Sequence, residues 1–203
     1  MDQNSSIQSI WLILLICGFV YLSDYYLTIA FAKYYKEYMH LYVSYEGSIE
    51  LTPQFQNDVA ELRLLSPQFV VRWLISLALI YIMWWLSVVY SKQPLIFHFI
   101  LGAFLLREVV VHLRHIRNLS LYLIAKSGGL KGKLEYSRWS VLKQSAVELL
   151  SFSLMFLLLA MLLKSWFFGG GSIGCMITGI QHWKMFKNAL AMSQTTQGEI
   201  QNA

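Results

Sequence analysis

Charge is scarce in this chain. Only 13% of its 203 residues are Asp, Glu, Lys or Arg, about half of the roughly 25% usual in a soluble domain. Cysteine is nearly absent: Cys17 and Cys175 each sit inside an apolar run, so nothing suggests a disulfide framework and both read as small buried apolar residues. No Lys or Arg precedes the first apolar run, and that run carries no small-residue cleavage pattern. A cleaved signal peptide is therefore not expected, and the run stays as a helix.

Several motifs are also missing. There is no phosphate-binding glycine loop, no H-E-x-x-H and no G-x-S-x-G, so no cofactor is implied and the reading leans away from an enzyme. No nucleic-acid module accompanies the basic residues, so no nucleic-acid partner is expected. The second half does not repeat the first, which argues against an inverted-repeat transporter.

What the sequence has in abundance is long apolar runs within a composition that is 57% hydrophobic. At about 1.5 Å of rise per residue, roughly 20 apolar residues cross the hydrocarbon core. Four runs reach that length, at about residues 7–31, 69–90, 95–117 and 141–168. The fold class is therefore all-α, a multi-pass transmembrane helical bundle forming one domain over residues 1–192. The third helix continues past the membrane until Gly128-Gly129 stops it. Residues 169–187 are glycine-rich and read as a short fifth span, a re-entrant segment or an interfacial helix. Gly170 and Gly174 stand four apart, a spacing that lets helices approach. Residues 193–203 read as a polar disordered tail. Between the first two spans, Thr52-Pro53 looks like an N-cap and first turn. Phe55, Val59 and Leu62 follow at helical spacing, and Ser66-Pro67 ends this short amphipathic helix.

Orientation follows the placement of Lys and Arg. With five spans and the N-terminus outside, every basic residue except Lys92 and Lys164 falls on the cytoplasmic side. Loops 32–68 and 118–140 are then cytoplasmic, in a plasma (inner) membrane. Lys126, Lys131, Lys133, Arg138 and Lys143 form a basic face there. It suits anionic headgroups or, alternatively, a soluble cytoplasmic partner.

A charge at the bilayer centre costs roughly 2.5 to 3.5 kcal/mol on insertion scales. The charges inside the spans therefore need partners or water. Asp24, Arg72, Arg107, Glu108 and Glu148 all fall in the half of the membrane nearer the cytoplasm. They read either as ion pairs that fix helix packing or as the lining of a water-filled cavity that binds an ion or relays protons. Glu108, His112 and His115 also share one face of the third helix, with ligand types suited to Zn, Fe or Mn. Arg114 and Arg117 stand beside them, and no second Glu-x-x-His appears, so no metal is expected. The favoured function is a small non-enzymatic membrane protein: a channel-like, sensor or anchoring subunit that forms a homo-oligomer. The alternative is an intramembrane enzyme or an ion- or proton-coupled carrier working at the Asp/Arg/Glu cluster.

Overall fold

The computed structural model describes residues 3–47 and 50–201. Its long helices are α1 (Gln3–Glu37), α3 (Pro67–Trp84), α4 (Pro94–Lys126), α5 (Arg138–Leu163) and α6 (Trp166–Gln201), with a short α2 (Gln56–Ala60) between the first two. Among the described residues, four segments are long and apolar enough to cross a membrane: Ile10–Glu37, Pro67–Tyr90, Pro94–Lys126 and Arg138–Leu163. Residues that a soluble protein would bury face outward on them, such as Phe19 at 69% and Leu162 at 78% exposure. Lipid is the solvent that makes those positions cheap.

Local sequence sets where the helices begin and turn. At the start of α3, Pro67 occupies the first turn, where its missing N–H costs nothing. The Ser66 hydroxyl accepts from the Phe69 amide at 3.3 Å. Pro94 likewise occupies the first turn of α4, where Gln93 gives no side-chain cap. The last turn of the second span, Trp85–Tyr90, widens into a π-helix. Gly128, at φ 77°, follows the end of α4 in a conformation that costs glycine no steric penalty.

α4 is the centre of the bundle. α1 and α3 pack on it and on each other, while α6 packs on it elsewhere and carries α5. Two apolar clusters pack the bundle, the first in the half where α1 starts and the second reaching from that half to the level of Glu108 and Glu148. One joins Ile10, Cys17, Ile80, Trp84 and Phe97; the other joins Val110, Leu149, Phe156 and Cys175. Both cysteines are free and buried.

The opposite end, called the basic end below, carries the long connections. There Val43–Tyr45 (β1) and Leu134–Tyr136 (β2) pair as a parallel two-stranded ladder, an addition to an otherwise all-α fold. Met39, Val43, Tyr122 and Ala125 pack beneath it, with Tyr34 stacked on Tyr122 at 4.5 Å. The amphipathic helix expected after Thr52 is shorter than its pattern suggested. A 3-10 turn covers Pro53–Phe55, and α2 follows with Val59 buried against α1 and α3. Buried Asp58 accepts from the Ser66 hydroxyl at 2.5 Å and pairs with Arg63 at 3.3 Å, tying α2 to the start of α3.

The C-terminal third differs most from the sequence reading. The fourth span ends at Leu163 rather than near residue 168, because Lys164 takes a left-handed turn at φ 47° and α6 starts at Trp166. Gly169, Gly170 and Gly171 lie inside α6 and do not interrupt it. The physical reason is contact with α4. A Cβ on Gly170 would collide with the backbone of Phe99, one on Gly174 with Ala103, and one on Gly102 with Phe167. Glycine lowers helix propensity here but lets two backbones touch. α6 is thus one unbroken helix, not a re-entrant hairpin, although it is not among the four segments apolar enough to qualify as spans. It remains helical through residues 193–201, where an unstructured tail was expected; residues 202–203 lie outside the described part.

Candidate functional site

The polar side chains of the spans gather at one level near the basic end. α1 brings Tyr21, Asp24 and Thr28; α3 brings Arg72; α4 brings Arg107, Glu108, Arg114 and His115; α6 brings Thr178 and His182. The connection before α2 adds Glu50 and Thr52. Together they line a cavity of about 340 Å³. On α4 these positions repeat along one helical stripe, which the spacing of Arg107, Val111, Arg114 and Asn118 makes visible.

Three carboxylates and three guanidiniums share this wall, partly paired. Arg107 binds Glu108, its neighbour in sequence, and its guanidinium also lies 5.8 Å from the Phe104 ring. Arg72 donates to Gln54 at 2.8 Å and lies 5.0 Å over the Phe55 ring. His115 Nε2 meets Asp24 Oδ1 at 2.8 Å, with the Thr28 hydroxyl 3.5 Å from the same nitrogen. Glu50 Oε1 accepts from the Thr52 amide at 2.6 Å. Burial pushes the Glu50 carboxyl above the usual glutamate range, and the bonds to Thr52 offset part of that rise.

The pairing is incomplete. Among the described residues, Glu108 Oε2, Arg114 Nη2 and His115 Nδ1 are buried with no hydrogen-bond partner, and all three belong to residues lining this cavity. A buried unsatisfied polar atom costs about 1–3 kcal/mol, so three on one wall mark a place arranged for polar company.

Of the five charges singled out in the sequence, the structure brings Asp24, Arg72, Arg107 and Glu108 to this cavity. Glu148 lies beyond it: Arg114 Nε donates to its carboxylate at 2.8 Å and Arg117 at 3.2 Å. Arg114 therefore stands in the wall between the cavity and a second cleft. In the sequence Arg114 reads only as a charge that opposes metal binding beside the histidines, and Glu50 carries no depth signal because it lies in a connection.

The trio Glu108, His112 and His115 does not converge. Among the described residues no group of three His, Cys, Asp or Glu could hold a metal ion. His112 Nδ1 must donate to the Glu108 carbonyl at 2.8 Å, and its Nε2 is engaged by the Ser23 hydroxyl at 2.7 Å. Both nitrogens are committed within the helix pair. The basic face is spread over the end of α4, the connection after it and the start of α5: Lys126 lies near the Tyr122 ring and Lys143 near the Phe186 ring. Lys133 pairs with Glu135, Lys131 is exposed, and Arg138 reaches the Glu50 and Leu51 carbonyls.

Compared with protein-family models, curated proteins and solved structures, the chain matches none of them.

Proposed function

We propose that this is a small membrane protein that receives an ionised solute in the polar cavity from one side only, acting as a sensor-like subunit and not as an open pore. The observation that carries this reading is the cavity itself, where acids and arginines from three helices meet and three of the lining residues keep an unsatisfied buried atom. One-sidedness is supported by the apolar cluster around Cys17, which fills the half of α1, α3 and α4 beyond the cavity. A continuous ion path would need polar side chains through that half. The basic end faces the cytoplasm in this reading, with α6 completing the bundle as a fifth crossing.

The solute carries both an acceptor and a donor. Neither atom is exposed to the cavity as it stands, but a small side-chain turn lets Arg114 Nη2 donate to an anionic group and Glu108 Oε2 accept from a cationic or N–H group, so a small zwitterion fits better than a bare ion. The His115–Asp24 pair borders the same cavity. A second reading, a docking face for a soluble partner, draws on the ordered β1–β2 ladder and the exposed lysines around it. Self-association is part of both readings.

The test uses Thr28→Cys in a background lacking Cys17 and Cys175. An impermeant maleimide is expected to label it from the basic-end side alone, and proteoliposomes should hold an imposed ion gradient. Glycine, as the zwitterionic probe, is expected to raise the thermal midpoint of the wild type but not of Glu108→Gln. Labelling from both sides, labelling from neither, or a glycine response that Glu108→Gln leaves intact would each reject the reading.

A further inference from the structure

A second cleft lies on the other side of the Arg114–Glu148 pair. It forms because α5 packs chiefly on α6 and meets α4 only in places such as the Arg114–Glu148 pair, leaving a wedge of about 830 Å³ at the basic end beneath the β1–β2 ladder. Its walls carry Arg114 and Arg117 from α4, and Lys143 and Glu148 from α5. Three cations thus face a single carboxylate. Arg117 keeps most of its capacity: its side chain is 57% exposed and, among the described residues, one of its nitrogens is engaged, by Glu148.

The surfaces leading away from this charge are apolar. On α4, Val109 and Leu113 precede Arg117 at steps of four residues and are both outward-facing. On α5, Val147, Leu154 and Leu158 follow Lys143 on the same helical face and are exposed as well. Both stripes run from the basic end toward the membrane interior, in the direction an acyl chain takes below its headgroup. Trp139 lines the mouth, at the depth where indole rings settle between lipid and water.

We propose that this cleft is a site for one anionic phospholipid. Its phosphate is held by Arg117 and Lys143, with Arg114 behind them, and its chains lie along the two stripes. A peptide or soluble partner would need polar complements below the charged mouth, and the stripes offer none. The basic loops attract anionic lipid diffusely; the cleft would hold one molecule through delipidation.

The experiment washes detergent-solubilised protein with mixed micelles of phosphatidylglycerol or phosphatidylcholine and counts retained lipid by native mass spectrometry. The wild type should keep one phosphatidylglycerol and no phosphatidylcholine. Arg117→Gln with Lys143→Gln should lower retention about ten-fold, while Lys126→Gln with Lys131→Gln should leave it unchanged. Equal loss in both double variants would reduce the site to diffuse attraction, and equal retention of both lipids would remove the charge argument; either overturns the proposal. So would full displacement by millimolar inorganic phosphate, which would make the occupant a soluble anion. If the first double variant fails to fold, brominated phosphatidylglycerol serves instead. It should quench wild-type tryptophan fluorescence more than that of Trp139→Phe, and equal quenching refutes the site.

Discussion

Replacing Gly170 and Gly169 separately by alanine should move stability in opposite directions, although the two glycines are neighbours in α6. Alanine in a helix interior is worth about 1 kcal/mol over glycine. At Gly169 the added methyl group would lie 3.7 Å from the Phe99 ring, an ordinary contact, so most of that gain survives. At Gly170 it would run into the Phe99 backbone and the Ala103 amide. Backbone cannot rotate away, so α4 and α6 must separate and lose contact along their seam. Overpacking costs about 1–3 kcal/mol, and a clash with backbone belongs at the upper end of that range. Subtracting the propensity gain leaves Gly170→Ala about 1–2 kcal/mol less stable than wild type. The two variants then differ by about 2–3 kcal/mol, roughly 30-fold to 150-fold in the unfolding equilibrium.

The assay is reversible unfolding in mixed micelles with rising SDS, followed by helical circular dichroism. Gly102→Ala provides an internal check, because its methyl group would strike Phe167 on the same seam. Once one substitution has parted the helices, the second should cost less, so the double variant should fall short of the sum. If Gly170→Ala proves as stable as Gly169→Ala, the close approach of α4 and α6 is wrong.

Other outcomes follow from the polar contacts. In a double-mutant cycle, Arg114→Gln with Glu148→Gln should show a coupling of about 1–2 kcal/mol, because both side chains are largely withdrawn from solvent at 17% and 22% exposure. The Arg117–Glu148 pair, with Arg117 57% exposed, should couple by less than about 0.5 kcal/mol. Glu50 binds its proton more tightly in the folded protein than in the unfolded chain. Stability should therefore fall as pH rises from the ordinary glutamate pKa through the raised one; Glu50→Gln should flatten that slope in a pH series of unfolding curves. Ser66→Ala removes both the cap on Phe69 and a partner of buried Asp58. It should cost about 1–2 kcal/mol by the same unfolding assay.

The four long spans were legible because lipid imposes a length and an apolarity that a sequence displays directly. Asp24, Arg107 and Glu108 could be placed at a common depth for the same reason, since rise per residue converts position into height. Rotation about the helix axis was harder. Glu148 shares their level but faces Arg114 and Arg117, away from the cavity. The glycines of α6 misled because glycine has two physical meanings. Gly128 does end a helix, at positive φ, whereas Gly170 continues one and owes its place to a neighbouring backbone. Only the partner helix tells these apart. β1 and β2 were invisible for a related reason: three residues each, more than eighty apart, leave no local pattern.

The arrangement of charge in the bundle also separates a purely structural role from a receptive one. If Asp24, Arg107, Glu108 and Arg114 existed only to fasten helices together, the pairs would run between helices and leave nothing over. Asp24 does reach across to His115 on α4, and Arg114 reaches Glu148 on α5. The most buried acid does not: Glu108, 4% exposed at its side chain, is paired with the residue next to it, and that bond fastens no second helix. Its other oxygen is left over, as are Arg114 Nη2 and His115 Nδ1. An apolar replacement of the same volume would pack α4 against its neighbours at lower cost than a buried ion pair that joins nothing. A charge kept under those conditions is better explained by what enters the cavity than by what holds the helices.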